Sequence, residues 1–283
     1  MLVSKPCIVC GSTSHAPFSQ GLIQCRECDF VFADLNLSHA ELSEIYRRNY
    51  FFGEEYSNYI ADRNVLQKNF KLRLQELKKY LDPSRHKRLL EIGCAYGFFL
   101  LLARDYFEKV QGIDITEDGV RYCTEELGLD VIRSDLLEVD LGDQKFDVVC
   151  FWDTIEHLSN PHLYLQKISG HMESGALLAI TTGDIGSLNA RFKKNNWRLL
   201  HPPTHLQYFS RRTIQILLDR NRFDVISNRY CGFYRSLDNV FYNLFILRSK
   251  IPWLYDLVRK TGLGKLSFYL NLYDIIYVIA RKR

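Results

Sequence analysis

No run of 18 or more uncharged apolar residues occurs in the 283-residue chain, so no helix is expected to span a membrane. The N-terminal residues lack the basic start and apolar core of a secretory leader, and neither an internal repeat nor a low-complexity tract appears. Net charge is also scarce: +4 is modest for a chain built mainly to hold nucleic acid. Hydrophobic residues make up 47% and charged residues 25%, which excludes a disordered or collagen-like chain. The length fits between one and two domains and suffices for a full α/β core.

Cysteine, by contrast, is plentiful. Of eight, four fall within the first 28 residues, while Cys94, Cys123, Cys150 and Cys231 are scattered. A disulfide framework normally serves a smaller secreted chain, so the expected compartment is the reducing cytoplasm. Cys7 and Cys10 form one CxxC pair, Cys25 and Cys28 a second, with 14 residues between them. A two-residue gap lets one tight turn supply two thiolates, and four thiolates close a tetrahedral shell around zinc. Such a zinc is structural, because no coordination position stays open for water or substrate. The bland alternative is a set of reduced core thiols. Residues 1–34 carry a net charge of −1, unlike a ribbon that grips phosphates, and read as a cap or substrate-facing lid.

Residues 35–85 read as a helical linker. Ser38 with Glu41 makes a capping box. Leu66, Phe70, Leu74, Leu77 and Leu81 form one apolar stripe that stops at Asp82-Pro83. Between them lie Tyr46, Tyr50, Phe51, Phe52, Tyr56 and Tyr59, an aromatic cluster suited to packing or to folding over the mouth of the core.

From 86 to 283 the pattern is that of strands alternating with helices, an α/β doubly wound sheet. Strands are expected at 88–93, 110–115, 130–134, 146–152, 176–182, 223–230 and 275–280, and helices at 98–107, 118–127, 161–171 and 213–220. The segment Glu91-Ile92-Gly93-Cys94-Ala95-Tyr96-Gly97 ends a strand and opens a helix, where small residues let backbone approach a ligand. It fails the dinucleotide pattern Gly-x-Gly-x-x-Gly at two glycines, since Ala95 and Phe98 occupy those positions. Alone it leaves the ligand undecided. Asp114, 21 residues past Gly93, ends the second strand and can accept hydrogen bonds from both hydroxyls of a ribose. Asp135 ends the third strand and either receives an adenine amino group or is an ordinary turn residue.

With these motifs in order, followed by Glu156-His157-Leu158-x-Asn160-Pro161 and His201-Pro202-Pro203-x-His205-Leu206, the chain resembles class I S-adenosylmethionine-dependent methyltransferases. Within them it is similar to the group that includes ubiquinone-biosynthesis O-methyltransferases. An N-terminal CxxC…CxxC zinc ribbon is a recurring variant of that group. The resemblance covers about residues 7–230 and 273–282, and departs at Ala95, where many members have glycine. It implies a seven-stranded Rossmann-like sheet with the last strand antiparallel. It also implies a cofactor, S-adenosylmethionine, held by Glu91, Gly93, Ala95, Gly97, Asp114, Ile115, Asp135 and Leu136, with Phe151 and Trp152 lining the transfer cleft. In some ubiquinone enzymes the positions of Asp153, Glu156 and His157 carry a metal.

Methyl transfer aligns a nucleophile on a sulfonium carbon, and a hydroxyl or amine nucleophile must also lose a proton. His157, after the fourth strand, is the first candidate base; the alternative is a histidine that caps the next helix. His201 and His205 lie on a loop stiffened by Pro202-Pro203 and are candidate substrate contacts. Residues 233–273 form an aromatic insertion expected to be helical, and residues 235–283 carry nine lysines and arginines against three aspartates. This suits a lid or dimer patch, or peripheral contact with an anionic membrane. The expected partner is a small-molecule or lipid-linked acceptor, a saccharide or a quinone- or polyketide-like hydroxyl. Two rivals are a zinc-ribbon RNA methyltransferase and a non-catalytic protein that keeps the cofactor fold. The near-neutral ribbon, and the lack of an Asn-Pro-Pro-Tyr-type tetrapeptide after the fourth strand, speak against nucleic acid.

Overall fold

The two CxxC turns are held together by short strands. In the computed structural model, which describes residues 5–33 and 59–283, β1 (His15–Pro17), β2 (Leu22–Cys25) and β3 (Val31–Ala33) form an antiparallel sheet. The capping box at Ser38 and the aromatic residues from Tyr46 to Tyr56 lie outside the described residues. Helix α1 (Arg63–Lys78) buries Phe70, Leu74 and Leu77 along the expected stripe.

The core then alternates strand and helix. It runs β4 (Arg88–Ile92), α2 (Phe98–Ala103), β5 (Lys109–Asp114), α3 (Glu117–Arg121), β6 (Val131–Arg133), β7 (Val148–Trp152), α4 (Pro161–Gly170) and β8 (Leu177–Gly183). Helix α3 continues as a π-helical turn over Tyr122–Glu126. After α5 (Leu188–Lys193), the two-residue strand β9 (Gln207–Tyr208) leaves the core to pair with β3, completing the ribbon sheet. Helix α6 (Arg211–Arg220) starts from a capping box of Ser210 and Thr213 and leads into β10 (Phe223–Tyr230).

The insertion follows: β11 (Phe233–Ser236), α7 (Leu237–Phe241), α8 (Pro252–Lys260) and β12 (Ser267–Leu270), before β13 (Ile275–Lys282) closes the chain. It is not wholly helical. β11 and β12 pair antiparallel, with Phe233 opposite Leu270, and so tie its two ends together. Residues 242–248 are a π-helical stretch.

The main sheet has the order β10-β13-β8-β7-β4-β5-β6. Neighbours from β8 to β6 are parallel, and β13 runs antiparallel to both β8 and β10. Seven strands with an antiparallel last strand are the expected α/β architecture. Apolar residues of β4, β7 and β8 alternate between two clusters: Phe151 and Ile180 pack with α4 and α6 residues, whereas Trp152 and Ala179 pack with α1 and α2 residues. Both faces are covered, which is why these strands read as unbroken apolar runs. No helix among the described residues is long and apolar enough to cross a membrane.

Candidate functional site

A cavity of about 540 Å³ opens at the C-terminal edge of the parallel strands, where ligands enter open α/β sheets. Its first half is the turn after β4. Gly93 has φ +73°, and a Cβ there would lie 2.5 Å from the Thr154 side chain, so only glycine fits. Ala95 also adopts positive φ, +47°, stabilised from two sides. Its N–H donates to Asp114 Oδ2 at 2.7 Å, and its carbonyl accepts from Cys123 Sγ at 3.4 Å. Gly97, at φ +68°, caps α2 and packs on Cys123 and Leu129, off the cavity wall.

Around this turn the acidic residues take defined places. Asp114 lines the cavity with Oδ1 accepting from Thr116 N (2.8 Å) and Oγ1 (2.6 Å). Burial raises its pKa, opposed by those donors. Glu91 is fully buried, and its Oε2 has no hydrogen-bond partner among the described residues; burial, then the nearby Cys123 and Asp114, pushes its pKa well above the usual carboxylate range. Asp135 accepts from Leu137 N at 2.8 Å and from the Tyr164 hydroxyl, so it is both a turn residue and part of the cavity wall. Ile115 and Leu136 line the same half.

Strand β7 brings the second half. Trp152 lines the cavity, edge-on to Phe99 and Tyr277, with the Arg73 guanidinium 5.6 Å over its ring. Phe151 does not. It is completely buried on the opposite face of the sheet, because successive strand residues point to opposite sides, and this corrects its expected place in the cleft.

Beyond β7, a 3-10 turn at Ile155–His157 and the loop before β9 converge. His157 lies 4.6 Å, ring to ring, from His205, which lies 4.0 Å from His201. All three line the cavity. His157 Nδ1 faces Thr204 O at 2.8 Å and His205 Nδ1 faces Leu199 O at 2.9 Å. The Leu199 carbonyl places a proton on His205 Nδ1, which makes Nε2 the lone-pair nitrogen of that ring, whereas the His157 ring faces the backbone carbonyls of both Thr204 and Asp153. Burial lowers the His157 pKa to about 4 and that of His205 well below its ordinary value, so both are neutral near pH 7. Burial, then the Asp153 charge, raises Glu156 to about 8.

Ligand atoms of Glu156, His157 and His205 lie within 4.8 Å of one another, a set that can hold a divalent cation. Asp153, implied by the resemblance as a ligand, is not in that set; it forms an ion pair with Arg73. Tyr59, from the aromatic cluster expected over the mouth of the core, lines the cavity, and Arg73 is a cavity residue that sequence reasoning missed. For Arg73 a signal existed: a cation at the edge of the Phe70–Leu74–Leu77 stripe, where α1 meets the sheet.

The four ribbon sulfurs also converge within 4.8 Å of one another. Cys7 and Cys28 Sγ are 3.6 Å apart, Cys10 and Cys25 Sγ 3.5 Å. Sulfurs at about 2.3 Å from a tetrahedral zinc would be separated by roughly 3.8 Å, so the donor set suits that ion. The ribbon rests on the core through Phe30 against Phe209 (5.2 Å), and through Arg220, which donates to Val9 O at 2.8 Å.

A protein family described as a methyltransferase domain matches residues 62–228. Among curated proteins, a ubiquinone biosynthesis O-methyltransferase of Maricaulis maris is 28% identical over 108 residues, covering 35% of this chain and 42% of that protein. A probable (S)-tetrahydroprotoberberine N-methyltransferase 2 of Papaver bracteatum is 29% identical over 100 residues, covering 32% of this chain and 28% of that one. The chain thus spans less than half the length of these curated relatives. Among solved structures, a SAM-dependent methyltransferase from Archaeoglobus fulgidus superposes with a TM-score of 0.53 at 23% identity, covering 79% of this chain and 99% of that one. One from Thermotoga maritima gives 0.54 at 17% identity, covering 86% and 100%. At these identities the likeness is one of fold.

Proposed function

On the premise that the chain belongs to the methyltransferase-domain family and uses S-adenosylmethionine, we propose that it methylates a hydroxyl of a small-molecule or lipid-linked acceptor, of saccharide or quinone/polyketide-like chemistry. The observation that carries this reading is the shared cavity: the Gly93–Asp114–Asp135 half and the histidine half face one space. S-adenosylmethionine, when bound, supplies an electrophilic methyl group on sulfur. Glu91 Oε2, buried without a partner, suits the amino group of that cofactor. Asp114 suits the ribose hydroxyls, and Asp135 with Leu136 the adenine. Trp152 and the Arg73–Asp153 pair form the wall between cofactor turn and acceptor.

The His157 ring takes the acceptor proton as the nucleophile is committed, and its contact with the Thr204 carbonyl holds it in register. His201 and His205 contact the acceptor. A second reading has a divalent cation on Glu156, His157 and His205, lowering the acceptor hydroxyl's pKa. It is favoured by the convergence of one ligand atom from each of Glu156, His157 and His205, and predicts bound metal beyond the ribbon's that His205→Ala loses. In the ribbon, Cys7, Cys10, Cys25 and Cys28 hold a structural zinc.

The direct test incubates methyl-labelled S-adenosylmethionine with the protein and a cell extract, then separates lipid, saccharide, RNA and protein fractions. Label in lipid or saccharide is expected. Label confined to RNA or protein would overturn the acceptor class.

A further inference from the structure

Two segments are continuous in sequence with cavity-lining residues: α5 precedes Arg198 and Leu199, and the insertion begins with Phe233–Ser236; both carry large apolar side chains that stand exposed. On α5, Leu188 and Phe192 stand one helical turn apart, each 84% exposed. On α8, Trp253 and Leu257 have the same spacing and are 67% and 54% exposed, while Tyr255 on the inner side is buried. Leu263, Leu266 and Phe268 follow in the same insertion, also exposed. Large apolar residues so exposed in pairs are more than scattered surface hydrophobics.

The two segments belong together. Asp274, just before β13, accepts from Asn189 (2.8 Å), Trp197 Nε1 (3.0 Å) and Arg198 (2.9 Å), fastening the α5 loop to the exit of the insertion. The Arg198 guanidinium lies 5.1 Å over the Phe233 ring at the insertion's entrance, and both residues line the cavity.

Charge selects the partner. Residues 185–200 and 233–273 together hold ten lysines and arginines against two aspartates. The remainder of the chain holds 27 basic against 31 acidic residues, so the excess positive charge is concentrated in these two segments. Arg191, Lys193 and Lys194 flank the α5 pair; Lys250, Arg259 and Lys260 flank the α8 pair, and all six are exposed. Apolar anchors beside flexible cations match an interface with an apolar interior and an anionic surface.

We propose that α5 and the insertion form a docking surface for an anionic lipid bilayer, which brings the cavity mouth to the membrane. The docking rests on these surface residues alone. Its purpose, delivery of a lipid-linked acceptor, rests on the reading given above.

The test is co-sedimentation of the full chain with phosphatidylglycerol-containing vesicles and with pure phosphatidylcholine vesicles. Binding to the anionic vesicles, weakened by salt, is expected. Trp152 and Trp197 are buried, so a blue shift of tryptophan emission on binding reports Trp253. Leu188→Ser/Phe192→Ser and Trp253→Ser/Leu257→Ser should each weaken binding about tenfold or more, with affinity for S-adenosylmethionine unchanged. Equal binding to both vesicle types, no binding, or binding unaltered by the substitutions overturns the proposal. So does an assembly of the wild type in solution that the substitutions dissociate, which would make the face a contact between copies. Since the readout is partition rather than turnover, failure here leaves methyl transfer standing, and failure of methyl transfer leaves the docking result standing.

Discussion

Glu91 and His157 show how burial gives two side chains opposite tasks. A carboxyl with an unpartnered oxygen in the core is costly when ionised, so Glu91 stays protonated well above the ordinary range. Its folded-state pKa is raised. The stability it contributes is therefore complete below the unfolded value near 4.5 and is lost as pH rises toward the folded value. The cofactor-free protein should lose melting temperature as pH climbs above that point, and Glu91→Gln should flatten the loss; a slope unchanged by the substitution would refute this. The same variant should bind S-adenosylmethionine roughly tenfold or more weakly, because a charged hydrogen bond is worth about 1.5–3 kcal/mol. For His157, proposed above as the proton acceptor, His157→Ala should lower kcat about 100-fold or more with cofactor affinity intact. Equal loss of both would mean that the ring only supports the fold.

At the scale of elements, Asn69 is the α1 side chain that hydrogen-bonds the backbone of β11 on both sides. Asn69 donates to Tyr234 O at 3.0 Å and accepts from Tyr234 N at 2.5 Å, standing in for a strand partner at the entrance of the insertion. Asn69→Ala should free that entrance, raising the acceptor KM several-fold while leaving cofactor affinity near wild type; an unchanged KM would deny the latch. Such contacts explain what the sequence did and did not disclose. The seven core strands were legible because buried parallel strands read as apolar runs, and the cofactor turn because Gly93 and Asp114 follow from the backbone itself. The β11–β12 pair was not, since four-residue strands within an aromatic segment show no distinctive period. Nor was β9, whose two residues form a strand only because β3 is docked beside them. Phe151 was misplaced because an all-apolar strand does not tell which face sees the cavity, whereas the three histidines, 44 residues apart between His157 and His201, converge only in the fold.

Across the whole molecule, the ribbon is wired to the histidine cluster by a short run of backbone. Ala33 N, in β3, donates to Leu206 O at 2.8 Å, and Leu206 N donates to Glu156 O at 2.9 Å. Leu206 is flanked by His205, and Glu156 by His157, so one ladder fixes both histidine-bearing segments relative to the ribbon. A ribbon this small has little core of its own, and with the proposed zinc bound, the free energy that holds it comes largely from the metal. The cofactor turn, by contrast, is built from β4, β5 and the α3 turn, with no contribution from the ribbon. Loss of zinc should therefore reach the two halves of the cavity unequally. Cys25→Ser, which removes one ligand, should lower kcat by an order of magnitude or more, since a displacement of about 1 Å at a reacting group costs on the order of 100-fold. S-adenosylmethionine affinity, measured by calorimetry on the same preparation, should stay within a few-fold of wild type. Parallel loss of turnover and cofactor binding would show instead that the ribbon supports the entire fold, and unchanged turnover would show that the ladder does not position the histidines.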